Sequence, residues 1–423
     1  MAEAPSAAIV GGGPAGAVAA LVLARRGVRV TVLETRDGPA CKVGETLPPG
    51  LTPLLRHLGL EGVLDRDGHL RSEGNRSWWG AERPVERAFL AGPQGPGWHV
   101  DRERFEARLA EAARQAGAEW RWGSRVERCV RCRQSGRSRA AGGGAGGRWR
   151  IELSRTADCR GGSAAAEPTV RALEADWLLD ATGRRAHVSR QAAGARRLRY
   201  DRLVGVAAML GRAPEGPPVA AAAAAPAALV QGAPPAAPLE EGYTWVEATP
   251  DGWWYSAALA DGRLAVTLFA DGDLLERSLC GPRGDTAAWR RRLRQAPATR
   301  ERIEALAGGG QPFRLAVMPA ESSRLDAIAG DGWIALGDAA AAYDPLSSQG
   351  VAAAMGSGFY GGHAVADLLA GHDEARAAYL DLMQRAYGAY LDLLRERYAA
   401  ERRWPEAPFW RRRHQPGYAL DPL

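Results

Sequence analysis

The stretch AAIVGGGPAGAVAALVLARRGVRVTVLE, residues 7–34, leaves few folds open to the chain. AAIV is a short apolar run with strand character. PAGAVAALVLARRG carries apolar residues at helical spacing up to a glycine stop, and VRVTVLE alternates as a second strand, so the chain opens with one βαβ unit. Gly11, Gly13 and Gly16 stand as G-x-G-x-x-G at the strand-to-helix junction, with Pro14 and Ala15 inside the turn. Glycine there permits the tight turn, the close approach of a diphosphate and the packing of helix on sheet, while N–H groups and the helix dipole favour phosphate. Glu34 follows Gly11 by 23 residues at the end of the second strand, with Thr35 and Arg36 beside it. That is the position of a carboxylate that binds ribose hydroxyls. A dinucleotide-binding domain is the expectation.

The remaining totals narrow the class. A chain of 423 residues suits one large or two medium domains. Its net charge of +6 comes from cations scattered among carboxylates, apart from a terminal cluster. Nucleic-acid binding needs a basic stripe, which is missing; a mildly basic face for an acidic ligand or partner fits better. The opening MAEAPSAAIVGGGPAG lacks a charged leader and cleavage site, and no apolar run of about 18 residues follows. A cytoplasmic protein without a membrane span is expected, its five cysteines reduced. Cys129 and Cys132 form a CxxC with no second Cys or His pair at zinc spacing, so they read as structural and no metal is expected.

Further along, DRERFEARLAEAARQAG repeats Phe105, Leu109, Ala112 and Ala113 at helical spacing behind Asp101, an N-cap. EWRWGSRVERCVR and RWRIELS read as strands joined by a flexible Gly/Arg loop, residues 133–147, and ADWLLDATG is a further strand ending at Gly183. After it RLVGVAAML, YTWVEATPD, GWWYSAAL and RLAVTLFA suggest an antiparallel sheet, interrupted by a Pro/Ala-rich surface loop. GWIALGDAAAAYDPLSSQG then returns to strand and helix, and a periodic helix follows near the end. The fold class is therefore α/β: a Rossmann-type domain with an inserted, mainly antiparallel β-sheet domain and C-terminal helices. The expected division is a discontinuous dinucleotide domain over 1–80, 98–195 and 320–365, a substrate-side sheet domain over 81–97 and 196–319, and a helical region over 366–423.

The second motif separates flavin from nicotinamide. Gly337 and Asp338 end a strand, with Pro345, Gly350 and Val351 in the following loop and helix start. Asp338 can accept from a sugar-chain hydroxyl, and the amides near Gly350 and Val351 can face a partly anionic ring edge. Together with DATG, Asp180 to Gly183, this pairing resembles the FAD-binding signature of the para-hydroxybenzoate-hydroxylase-like flavoproteins. No second G-x-G-x-x-G follows a strand, so electrons must come from NAD(P)H docking transiently or from a separate flavin reductase.

Within that superfamily CKVGETLPPG, SEGNRSWWG, WHVDRERFEARL, DGWWYSAAL, GDAAAAYDPLSSQG and YAAERRWPEAPFWRRR resemble the flavoproteins that mature quinone-cofactor enzymes, the LodB and GoxB type. The resemblance spans nearly the whole chain. It implies an FAD-dependent monooxygenase that modifies a tryptophan of a partner, a quinone-cofactor oxidase precursor. The same neighbourhood holds tryptophan halogenases, which need a lysine well after their G-E-x segment to direct hypohalous acid. Lys42 is the sole lysine of this chain, and GWWYSAAL departs from the halogenase W-x-W-x-I-P pattern, so halogenation is disfavoured. Rival readings are a hydroxylase or halogenase of a free aromatic molecule, and a non-catalytic flavoprotein chaperone.

The superfamily places the loop of Lys42, Val43, Gly44 and Glu45 beside the isoalloxazine ring. Lys42 either supplies charge to the reduced flavin or forms a pair with a carboxylate. The candidate catalytic residues are Lys42, Glu45 and Trp254. The candidate FAD-binding residues are Gly11, Gly13, Pro14, Ala15, Gly16, Glu34, Thr35, Arg36, Lys42, Val43, Gly44, Arg102, Val126, Asp180, Gly183, Gly337, Asp338, Pro345, Gly350 and Val351. Trp78, Trp79, Trp98, Trp253 and Trp254 suit either a core or an indole-receiving groove. His99 reads as structural before it reads as a base. RRWPEAPFWRRRH, with Phe409 and Trp410, suits docking an acidic partner or capping the core.

Overall fold

A computed structural model describes residues 4–40, 42–89, 92–133, 147–155, 171–211, 242–279, 284–307 and 313–423. Cys41, the Gly/Arg loop beyond Arg133 and the Pro/Ala segment lie outside the described residues.

The opening βαβ unit forms as its pattern dictates. Ser6–Val10 is buried along its length, Pro14–Arg25 is a helix with proline in its first turn, and Arg29–Leu33 is the second strand. Residues Ser6 to Val10 pair in parallel with both Arg29–Leu33 and Trp177–Asp180. Trp333–Ala335 and Glu119–Arg121 extend this sheet on its two sides, and Ala329–Gly330 closes one edge antiparallel. The motifs at 11–16, 180–183 and 337–338 thus leave the ends of neighbouring parallel strands, where α/β sheets bind ligands. Asp101 caps Arg102–Gln115 as its sequence predicts, accepting from the Glu103 and Arg104 amides at 2.9 and 3.2 Å. The strands Ser124–Arg133, Gly147–Arg155 and Arg171–Ala175 form a separate antiparallel sheet. Buried Trp149 ties it to the parallel sheet by donating to the Gly332 carbonyl at 2.7 Å.

The second large sheet has seven strands, in the order Leu315–Pro319, Leu203–Leu210, Leu264–Asp271, Gly252–Ala258, Tyr243–Thr249, Gly74–Trp78 and Val85–Ala88. It is antiparallel except where Gly74–Trp78 joins Tyr243–Thr249. Gly74–Trp78, which the expected division assigns to the dinucleotide domain, has its backbone partners in this second sheet. Arg197–Arg199, which the expected division assigns to the sheet domain, pairs with Ser323–Leu325, which pairs with Ala341–Ala342 beside the second motif. One face of the seven-stranded sheet carries its own core, in which Trp254, Leu268 and Val206 meet Trp289 and Leu293 of Thr286–Leu293. Among the described residues no helix is long and apolar enough to cross a membrane.

Candidate active site

The glycine turn is shaped by what glycine lacks. Gly11 has φ +104°, and a Cβ there would lie 2.2 Å from the Ala181 carbonyl oxygen; one on Gly16 would lie 2.0 Å from the Gly11 oxygen. Both positions demand glycine for fit, and Gly11 also for conformation. Gly13 differs, since a Cβ would meet nothing within 4 Å. It is the N-cap of Pro14–Arg25, without a side-chain cap and with no acidic residue in the first turn. Open space in front of an uncapped helix N-terminus is a cradle suited to a diphosphate.

Glu34 holds the turn from the side. Its Oε2 accepts from the Gly12 amide at 2.8 Å and its Oε1 from the Arg36 amide at 3.0 Å, joining the second strand's end to the glycine turn. Thr35 and Arg36 are exposed beyond it, and Val126 is buried on Ser124–Arg133.

The second motif meets the first through small residues. A Cβ on Gly337, φ +55°, would stand 2.8 Å from the Ala15 Cβ, and one on Gly358 would stand 2.3 Å from the Ala15 oxygen. The helix Gly350–Leu369 thereby packs closely on Pro14–Arg25, and its own N-terminus has no side-chain cap. Gly350 and Gly183 also face open space. The Asp338 carboxylate is about one-third exposed, with Arg184 Nε 3.6 Å away. Arg197 braces the same turn by donating to the Asp338 and Ala339 carbonyls at 3.0 and 3.1 Å. Pro345 and Val351 are partly exposed on the loop and helix start.

Asp180 requires a correction. Its carboxylate is fully buried and accepts from Thr182 N and Oγ1 at 3.0 and 2.6 Å and from Ser189 N and Oγ at 2.7 Å each. With its lone pairs committed inside the turn, it shapes the 180–183 segment and does not reach a ligand.

The loop of Lys42 to Glu45 brings charge to the junction of the two sheets. Lys42 pairs with Glu106, which also receives Arg102 Nη2 at 2.5 Å. Arg102 Nη1 donates to the Val43 and Gly44 carbonyls at 2.9 and 3.2 Å, and Gly44 takes φ +93°. Burial pushes the Lys42 ammonium below its ordinary pKa, Glu106 opposes the shift, and Arg36 and Arg102 add to it. Glu106 is itself pushed up by burial, but Arg102 and Lys42 outweigh that and hold it low. Two cations share one carboxylate here, so the cluster keeps positive charge.

Next to it Glu45 is almost fully buried, and its Oε1 has no hydrogen-bond partner among the described residues. Tyr255 approaches Oε2 at 3.4 Å, and a chain of contacts runs on through Thr46 Oγ1 (2.7 Å), Thr244 Oγ1 (3.1 Å) and His99 Nε2 (3.0 Å). Burial raises the Glu45 pKa, against the pull of its own amide, Arg102, the Gly44 amide and Tyr255. His99 is pushed down to about 3 by burial and by Arg302, so it anchors the chain as a neutral ring.

Trp254 also requires correction. On a strand, neighbours point to opposite faces. Trp253 and Tyr255 therefore turn toward the first core and the Glu45 loop, while Trp254, 1% exposed, packs edge-on against Trp289 at 4.9 Å in the second core. It has no access to the junction. The other tryptophans are engaged as well: Trp253 stacks on Phe269, Trp79 donates to the Arg397 carbonyl, Trp78 packs on Trp245 and Arg71 covers Trp98. Phe409 and Trp410 are buried, which favours core capping over docking. Sequence reasoning missed Thr46, Glu106, Thr244, Tyr255 and Asp344.

Residues 4–215 match the family described as FAD binding domain. The chain belongs to that family. Its FAD-dependent oxidoreductase character is also that of a full-length relative: LodB of Marinomonas mediterranea, assigned as an FAD-dependent oxidoreductase, is 27% identical over 97% of both chains. Two solved structures share the fold. The myxobacterial chondrochloren halogenase CndH superposes with TM-score 0.76 at 22% identity, covering 97% of this chain and 86% of that one. QhpG, described as a peptidyl tryptophan dihydroxylase essential for tryptophylquinone cofactor biogenesis, superposes with TM-score 0.66 at 24% identity, covering 97% and 79%. The cofactor of this oxidoreductase is FAD, and the open cradle at Gly13, Gly183 and Gly350 fits such a group.

Proposed function

We propose that this chain is an FAD-dependent monooxygenase that hydroxylates a tryptophan side chain of a partner protein, a quinone-cofactor oxidase precursor. The observation that carries the reading is the state of Lys42. The tryptophan halogenases that this chain resembles direct hypohalous acid with a lysine well after their G-E-x segment; the one lysine of this chain precedes Gly44 and Glu45 and pairs with Glu106. Oxygen transfer to the ring is then the chemistry that remains within a halogenase-like and hydroxylase-like fold. The likeness to LodB over both chains and the fold shared with QhpG support a protein-borne substrate.

In this reading Gly11 to Gly16 hold the FAD diphosphate, Glu34 the ribose and Asp338 the sugar alcohol, while the amides at Gly350 and Val351 face the ring edge. The bound flavin supplies activation of O₂ for insertion into an electron-rich ring. The chain's own residues set position and charge. Lys42, Arg102 and Arg36 favour an anionic reduced cofactor, and buried Glu45, held at Oε2 by Tyr255, backs the same loop from inside the junction. The closely packed junction excludes water. NAD(P)H or a separate flavin reductase supplies the electrons.

Coexpression with a quinone-cofactor oxidase precursor, followed by intact-mass analysis, tests the proposal. Added oxygen on a tryptophan-containing peptide is expected. Incorporated halide would replace the hydroxylase reading by a halogenase, and tight binding without mass change would replace it by a chaperone.

A further inference from the structure

We infer that the helix Glu374–Ala400 is a positioning element of the flavin site: Tyr390, Arg397 and Tyr398 clamp the turn from Asp344 to Gly350, the two tyrosines through Asp344 and the arginine through Leu346. This rests on the FAD site proposed above.

The turn needs holding. Ser348 sits at φ +54°, a left-handed conformation that a non-glycine residue keeps only where its surroundings over-determine it. The turn's internal bonds are short-range: Asp344 Oδ1 accepts from the Leu346 amide at 2.8 Å, Ser347 Oγ donates to the Asp344 carbonyl at 2.8 Å, and the Gln349 amide donates to Ser347 Oγ at 3.2 Å. The long-range bonds come from the C-terminal helix. Tyr390 Oη accepts from the Asp344 amide at 2.7 Å and lies 2.7 Å from Ser322 Oγ. Arg397 Nη1 donates to the Leu346 carbonyl at 2.6 Å. Tyr398 Oη donates to Asp344 Oδ2 at 2.7 Å and receives Trp253 Nε1 at 3.1 Å, which links the turn to the seven-stranded sheet. Positions 397 and 398 lie about two helical turns beyond 390, so all three side chains fall on the side of the helix that meets the turn.

Asp344 is fully buried, and a second buried carboxylate, Asp201, faces it. Asp201 accepts from the Leu203 and Ser322 amides. The charged groups around the pair are Arg413, already bound to Asp271 at 2.8 Å, and Arg397; the titratable hydroxyls are Tyr387, Tyr390, Tyr398 and Tyr418. Burial first, and Asp201 second, push Asp344 up to about 7. The sign follows from linkage: between the ordinary carboxylate range and about 7 the clamped turn binds more protons than a released one. The clamp therefore weakens as pH rises through that window.

Apo-protein titrated with FAD by fluorescence, alongside thermal melts, tests this. Tyr398→Phe and Asp344→Ala are expected to weaken FAD binding about tenfold. Asp344→Asn keeps the acceptor for the Leu346 amide but puts an N–H where Tyr398 donates, so the Tyr398 hydroxyl must turn round; it should bind FAD more tightly than Asp344→Ala and abolish the weakening of the wild type between about pH 5 and 7. Tyr379→Phe is the control: its hydroxyl donates to the Ala335 carbonyl at 2.8 Å, on the strand and not the turn, so it should lower Tm and leave FAD affinity unchanged. Equal affinity losses in Tyr379→Phe and Tyr398→Phe, or a wild type whose affinity ignores pH, would overturn the inference. A wild type that takes up no FAD at any pH would instead remove the FAD-site reading, and the clamp with it.

Discussion

The early glycine turn and the late turn after Gly337 take their shapes by opposite means. At the early turn, missing side chains decide the geometry: Gly11 and Gly16 nearly touch neighbouring backbone, and Gly13 leaves a gap. At the late turn, side chains decide it, because Tyr390, Arg397 and Tyr398 reach in from a helix some 50 residues on to hold backbone and carboxylate. The first arrangement fails through added atoms and the second through deleted hydroxyls.

The largest effect should come from adding one carbon at the early turn. Gly11→Ala forces both a disfavoured φ and a 2.2 Å approach to Ala181, and should cost at least about 3 kcal/mol in a denaturant melt. Gly13→Val should fold at a cost of about 1 kcal/mol, since valine caps a helix worse than glycine, yet lose FAD, because its Cβ meets no protein atom and enters the cradle. Similar losses of stability in both variants would erase the distinction between the packed and the open side of the turn.

The charge cluster beside the turn ranks next. Glu106→Gln leaves Arg102 and Lys42 without their shared carboxylate, at a cost of about 3 kcal/mol in urea unfolding. Lys42→Met should cost less, about 1 kcal/mol, since Arg102 still pairs with Glu106 when the ammonium is gone. If Lys42→Met also leaves flavin retention and product formation unchanged, Lys42 does not serve the site.

Trp254 and Tyr255 divide structure from function within one strand. Trp254→Phe should destabilise by about 2 kcal/mol with turnover kept, because its ring fills the second core. Tyr255→Phe should do the reverse. A Trp254 variant that folds normally but loses turnover would return that residue to the catalytic set.

The smallest effect is one of pH. Glu45 has a raised pKa in the folded chain, so its contribution to stability is complete below its unfolded value near 4.5 and is lost as pH rises through its folded value. Glu45→Gln should flatten that decline of Tm with pH. A wild-type Tm that rises over this range, with the variant running parallel, would contradict the burial assigned to Glu45.

The same contrast explains what could be read in advance. Gly11, Gly13, Gly16, Glu34 and the strands around them follow from local spacing, and so does the antiparallel sheet, because strand alternation and turn residues are properties of neighbours in sequence. Asp180 was misread because a carboxylate at a strand end looks alike whether it faces a ligand or caps its own turn. Trp254 was misread because adjacent tryptophans share a composition but not a face. The chain through Thr46, Thr244 and Tyr255 joins the segment after Glu45 to two neighbouring strands 198 and 209 residues on, so no local pattern carries it. Asp344 did offer a signal: it precedes Pro345, as a cap does before a short turn. Its partners on the C-terminal helix are set by tertiary packing, with Tyr390 and Tyr398 placed two turns apart as the trace that a periodic reading can find.

In the proposed reading, two distant segments meet around one flavin at the open side of the glycine turn. Equilibrium titration of apo-protein with FAD, wild type beside Gly13→Val, tests it most directly. One equivalent bound by the wild type and none by the folded variant is the expected result. Equal binding by both would place the flavin elsewhere and contradict the account.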